Sequence, residues 1–230
     1  MKPKVKADII KQVSDLMAQI GPKKREPVGL KVAIVGWGNG RLSVPSWDTS
    51  WEIWAVNDAP ALRVTRRFEL HRRHHLRRDF GEDGLKKYLQ RVAKRYPKPK
   101  HGPTYQPVYV WSPEEYPELK DAEAYPLSKV SKLPRGASYH AWSPDWMIAM
   151  AIAMGAKQIA LHGIEPTHTG EPPSARACTE YWLGVAEGRG IKTFGGIGSC
   201  FKIYALHESE RLYGFDDWRM VERDLPGRVQ

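Results

Sequence analysis

The chain has 230 residues, 41% of them apolar, which suits one α/β domain with a proper core, or such a domain with an appended arm. A net charge of +10 points to nucleic acid, an anionic membrane surface or a phosphorylated ligand, or else serves solubility alone. No run of about 18 apolar residues is present, the basic N-terminus lacks an uninterrupted apolar stretch, and Cys178 and Cys200 form no CxxC pair. These features exclude a transmembrane helix, a secretory signal and a zinc ribbon or thioredoxin motif, and fit a reducing cytoplasm.

In chain order, Ile9, Ile10, Val13, Leu16, Met17 and Ile20 fall at helical spacing and predict an amphipathic helix over 7–20. The stretch Gly21 to Pro27 breaks it, so 1–28 reads as a helix and basic linker ahead of a domain over 29–230. That helix docks on its own domain or joins a partner chain, which leaves an oligomer open. Strands are predicted at 31–36, 51–57, 67–71, 108–111, 158–163 and 191–194, and helices at 81–96, from Pro144 to Met154, and at 175–187. Residues 112–137, rich in Pro, Ser and charge, read as a long loop. Strands alternating with helices imply an α/β, Rossmann-like fold: a mainly parallel, doubly wound sheet with helices on both faces.

Three stretches carry chemistry. The first strand runs into Gly36-Trp37-Gly38-Asn39-Gly40, where glycines let a backbone turn tightly and bring amides to a phosphate. The plain alternative is an ordinary tight turn. Asn57 and Asp58 end the second strand about twenty residues on, where a Rossmann fold contacts a ribose. The second stretch, Arg63 to Arg78, holds seven arginines and three histidines. Arg66, Arg67, Arg72, Arg73, Arg77 and Arg78 are the candidate nucleic-acid contacts, because guanidinium forks bind phosphates bidentately. The alternative is a solvated basic loop. No metal site is assigned, since arginines flanking His71, His74 and His75 repel a cation. The third is Ala141 to Glu165, where Ser143 is placed to cap a helix start and meet an anion. Nine Trp and ten Tyr line a ring-stacking pocket or fill the core.

The run from Ser143 to Glu165 resembles a segment of bacterial sialyltransferases and of pterin pyrophosphokinase-like proteins, in which a Ser-bearing helix start leads into a strand ending Gly-Ile-Asp. Gly38-Asn39-Gly40 and Asn57 match the turn and second-strand end of those families. The resemblance is closer to uncharacterised Rossmann-like proteins of tailed phages, which share Phe68-Glu69-x-His71, the stretch Glu180 to Ile191 and Leu212-Tyr213-Gly214. It covers about residues 30–215. Glu165 stands where the sialyltransferases carry Asp, Arg41-Leu42 replaces their Pro-Ser, and their long insertion with the catalytic base is missing.

The resemblance implies a phage-type glycosyltransferase using a nucleotide sugar in the cytoplasm of an infected bacterial host. The donor is expected on Gly36, Gly38, Asn39, Gly40, Asn57 and Ser143, with no further cofactor. His168, oriented by Glu165, is the expected base for an acceptor hydroxyl, a modified base of phage DNA among the candidates. A non-catalytic protein that sequesters a nucleotide against host defence, or an interaction protein, stays open.

Overall fold

The computed structural model describes residues 29–94, 107–165, 172 and 174–195. The expected helix at 7–20, its linker and His168 lie outside the described residues. The strands are β1 (Lys31–Val35), β2 (Trp51–Val56), β3 (Arg66–Phe68), β4 (Val108–Val110), β5 (Ala122–Ala124), β6 (Gln158–His162) and β7 (Lys192–Gly195). They form one sheet in the order β5-β4-β3-β2-β1-β6-β7, and every neighbouring pair is parallel. The chain winds outward from β1 to β5, returns across the sheet, and continues on the other side of β1 with β6 and β7. The carboxyl ends of β1 and β6 therefore flank the topological switch point, where open α/β sheets take their ligands.

Alternation along the strands assigns the faces. Val32, Ile34, Trp54, Val56, Phe68 and Tyr109 share a cluster with the helices α3 (Ser143–Ala153) and α4 (Ala175–Glu187). Val108 and Val110 point the other way and pack on α1 (Arg73–Val92). Helices thus cover both faces, and strands buried on both sides read as near-continuous apolar runs. α3 is buried from Met147 to Ile152, with Ala149 and Ala151 letting it sit close on the sheet. Among the described residues no helix is long and apolar enough to cross a membrane.

Two departures from the sequence reading have local causes. α1 begins at Arg73 rather than near Gly81, and Gly81 (φ 66°, ψ 176°) kinks it into two helical pieces. The first piece buries only Leu76, too little for an apolar stripe to show in the sequence. The stretch read as a loop contains β5 and the four-residue helix α2 (Leu127–Val130). β5 is a three-residue edge strand, Ala-Glu-Ala, held by its pairing with β4 rather than by strand propensity.

Candidate functional site

A cavity of about 600 Å³ opens at the switch point, within the roughly 300–1,000 Å³ typical of small-molecule sites. Its floor is Gly36, Trp37 and Gly38 after β1, Asn57 after β2, His71 after β3 and Gly163, Ile164 and Glu165 after β6. Its wall is Trp111 and the segment from His140 to Trp146 at the start of α3. Of the residues expected to hold a nucleotide, Gly36, Gly38, Asn57 and Ser143 line it, and so does Glu165, the expected partner of His168.

The glycine turn is tied to the end of β6. Gly36 N donates to His162 O and Gly38 N to Gly163 O, both at 2.9 Å. A Cβ on Gly36 would stand 2.5 Å from Gly163 O, and one on Gly38 would stand 2.7 Å from the Glu165 carboxylate. Gly163 itself has φ +61°, a conformation that side chains rarely adopt. The glycines therefore make room for backbone and for Glu165. Asn39 and Gly40 open the 3-10 turn Asn39–Ser43, and Gly40 N donates to Glu165 Oε1 at 3.4 Å.

Asn57 holds a left-handed conformation (φ 50°), which Asn tolerates better than most residues. Its amide donates to Phe68 O at 2.8 Å, and its carbonyl accepts from the Arg67 guanidinium. Its side-chain Oδ1 is buried and has no partner among the described residues, and a buried acceptor left unpaired costs about 1–3 kcal/mol.

The aromatic wall is anchored at its polar atoms. Trp111 Nε1 donates to Leu70 O (2.6 Å), and Trp142 Nε1 to Asp145 Oδ1 (2.9 Å) and Thr179 Oγ1 (2.8 Å). Trp111 and Trp146 meet edge to face at 4.9 Å. His140 is stacked between Trp146 (3.5 Å) and Trp182 (4.9 Å). It donates from Nε2 to Gly136 O at 3.0 Å, which leaves Nδ1 as an unpaired acceptor. Burial pulls its pKa down to about 4, so the ring is neutral. Ser143 is the first residue of α3 rather than its cap. The capping belongs to Asp145, fully buried, whose carboxylate accepts from Ala141 N (2.9 Å) and Trp142 N (3.4 Å). Burial pushes that carboxyl up to about 6 against the pull of its hydrogen bonds.

On β6, burial likewise holds His162 near a pKa of about 4. Ser43 Oγ donates to Gly40 O, so His162 Nδ1 donates to Ser43 Oγ (2.8 Å).

At the end of β3 stands a pair that the sequence reading singled out only as part of a shared motif. Glu69 is fully buried, and its Oε1 accepts from both His71 N (3.1 Å) and His71 Nδ1 (2.7 Å). Tyr88 of α1 donates to its other oxygen. The signal was present: on an extended chain residues i and i+2 face the same way, so Glu69-x-His71 places a carboxylate beside an imidazole.

The arginines are engaged in different ways. Arg66 forks onto Glu52 (2.6 and 3.3 Å), and Arg67, 3% exposed, reaches the Asn57 and Ala59 carbonyls. Both are ties within the fold. Arg72, Arg73, Arg77 and Arg78 lie on or beside α1, ion-paired with Glu115, Glu118, Glu82 and Asp79. His74 and His75 meet edge to face at 4.1 Å.

No protein-family model and no curated protein matches the chain. Solved structures of sialyltransferases are similar to it. The sialyltransferase CstII from Campylobacter jejuni with cytidine-5'-monophosphate is 16% identical, over 72% of this chain and 79% of that one (TM-score 0.46). A monomeric CstII is 15% identical over 74% and 82% (TM-score 0.48), and an α-2,3-sialyltransferase from Campylobacter jejuni in apo form is 12% identical over 79% and 80% (TM-score 0.48).

Proposed function

We propose that the cavity binds a nucleotide-activated sugar and that the protein transfers the sugar to a hydroxyl acceptor. The observation that carries this reading is the cavity of about 600 Å³ at the switch point, lined by Asn57, whose buried Oδ1 has no partner among the described residues. A nucleoside supplies the missing donor from a ribose hydroxyl or a base amine. The indole wall suits the flat base, since stacking on aromatic faces adds to simple burial. The start of α3, at Trp142, Ser143 and Pro144, presents the positive end of a helix to a phosphate. A nucleic-acid acceptor rests on the charge of the Arg63 to Arg78 stretch, and is tested by salt: on duplex DNA the log–log slope of affinity against salt steepens by about 0.9 for every phosphate the protein neutralises.

Calorimetry against a panel of nucleotides and nucleotide sugars tests the site. Asn57→Ala is expected to weaken the best binder by about 10- to 100-fold, as loss of a buried hydrogen bond does. An unchanged affinity in a folded Asn57→Ala variant removes the nucleotide from this cavity. Tight binding with no consumption of any donor assigns the cavity to sequestration instead of transfer.

A further inference from the structure

We propose that His71 is the proton-transfer residue of this cavity and that Glu69 is its positioning partner, an inference that rests on the nucleotide-sugar reading above. In the step assigned to it, His71 Nε2 takes the proton of an acceptor hydroxyl, or of water, as that oxygen bonds to the anomeric carbon. The bond from that carbon to the nucleotide's phosphate oxygen breaks, and the nucleotide leaves with the electron pair. The imidazolium so formed is held against the Glu69 carboxylate until its proton passes to solvent.

Three features of the geometry carry this assignment. The ring lines the cavity, its side chain is 45% exposed, and none of the described residues is hydrogen-bonded to Nε2. The other nitrogen is fixed by Glu69 Oε1 at 2.7 Å, which selects the tautomer with a free Nε2 lone pair. The backbone is pinned as well: His71 N donates to the same carboxylate oxygen, and Tyr116 Oη donates to His71 O at 2.6 Å. A base oriented by a buried carboxylate is the arrangement by which a histidine is aimed at a hydroxyl.

The surroundings favour a proton acceptor. Glu69 accepts from Tyr88 and from His71, and among the described residues no arginine or lysine is bonded to it. Asp79 of α1 adds a second negative charge, and together they raise the imidazole's pKa against the opposing effect of burial. Nearby Arg72 and Arg73 are occupied by Glu115 and Glu118. The other imidazole on the cavity wall, His140, is clamped between two indoles and has no carboxylate.

The test uses the full chain, with His71→Gln, Glu69→Gln and His168→Ala. Donor affinity is read by calorimetry and donor consumption by release of free nucleotide. His71→Gln is expected to keep affinity and lose about 10²- to 10⁴-fold in turnover, the usual contribution of general-base catalysis. Wild-type turnover falls as pH drops through the histidine's raised pKa. In Glu69→Gln that limb moves to lower pH, because the charge that stabilised the imidazolium is gone, and the NMR titration of His71 moves with it. Should Glu69→Gln fail to fold, the half-exposed His71→Gln still decides. Full turnover in His71→Gln overturns the proposal, and loss in His168→Ala alone returns the base to His168. If the wild type neither binds nor consumes any donor, the reading of the cavity falls first and the proton-transfer role with it.

Discussion

The arginine-rich stretch from Arg63 to Arg78 and the aromatic wall from His140 to Trp146 look like opposite kinds of functional signal. The first is dense in charge, while the second has Asp145 as its one ionic group. In the folded chain their roles cross over. The arginines named as phosphate contacts are engaged by protein oxygens, two inside the fold and four in ion pairs along α1. The aromatic wall lines a cavity whose described lining contains no Lys or Arg, one carboxylate, Glu165, and the His71 ring. Pairing in the fold decides how that charge is presented: Arg72, Arg77 and Arg78 keep half or more of their side chains exposed beside their carboxylates. A buried carboxylate or an unpaired amide oxygen is the more telling feature, because each is unfavourable unless something answers it.

The contrast is broken most directly on the aromatic side. Trp182 is fully buried, stacks on His140 and donates to Tyr139 O at 2.7 Å. Trp182→Ala is expected to destabilise the protein by about 3–5 kcal/mol, read as a shift of the urea midpoint. A loss comparable to that of a surface arginine would show that the wall is loosely packed and its cavity ill defined.

Asp145→Asn comes next. An amide has one acceptor end where the carboxylate has two, so either the Ala141 and Trp142 amides or the Trp142 indole and Thr179 hydroxyl lose an acceptor. Each buried donor so orphaned costs about 1–3 kcal/mol, and nucleotide affinity should fall too because Trp142 lines the cavity. Wild-type stability with unchanged affinity would show that this carboxylate does not organise the wall.

A pH series separates the histidines. Burial holds His140 and His162 near a pKa of about 4, below the usual 6.5. Their contribution to stability is complete above pH 6.5 and is lost as pH falls through about 4, because the unfolded chain binds protons that the folded one refuses. His71, raised by Glu69, acts in the opposite sense: its contribution is complete below pH 6.5 and is lost as pH rises through its folded value. Denaturation curves above pH 6.5 and at about pH 5 should therefore converge in His140→Phe relative to wild type. Identical pH dependence in the two proteins would mean that the ring is not held neutral by burial.

The smallest effects belong to the arginines. Arg77→Ala is expected to cost no more than about 1 kcal/mol, since it and its partner Glu82 are both more than half exposed. Replacing Arg72, Arg73, Arg77 and Arg78 together with Ser should leave nucleotide affinity within about twofold, because each is already paired with a carboxylate and none lines the cavity. A larger loss in calorimetry would tie the arginine-rich stretch to the cavity.

Much of the scaffold was legible in the residues themselves. Lys31 to Val35, Trp51 to Val56 and Gln158 to His162 read as buried strands because apolar side chains face both layers. Gly36 read as a turn glycine, and the structure adds that its missing Cβ makes room for the Gly163 carbonyl of a second loop. Glu69 was legible only as the carboxylate two positions before His71. Nothing in Phe68-Glu69-Leu70-His71 says that Tyr88, nineteen positions on, will donate to it. β5 escaped because its pairing partner, not its composition, makes it a strand.

The sequence by itself determined a parallel α/β sheet, the turn after β1, the apolar helix α3 and the supply of aromatic and basic side chains, because period, glycine placement and composition act locally along the chain. Only the tertiary structure decided which of those side chains engage one another and which face open space. Arg73 meets Glu118 across 45 positions, Thr179 meets Asp145 across 34, and β6 is laid beside β1 so that Glu165 comes to the glycine turn. Such pairings depend on distance and desolvation, and both are set by strand order at the switch point rather than by any spacing written in the chain.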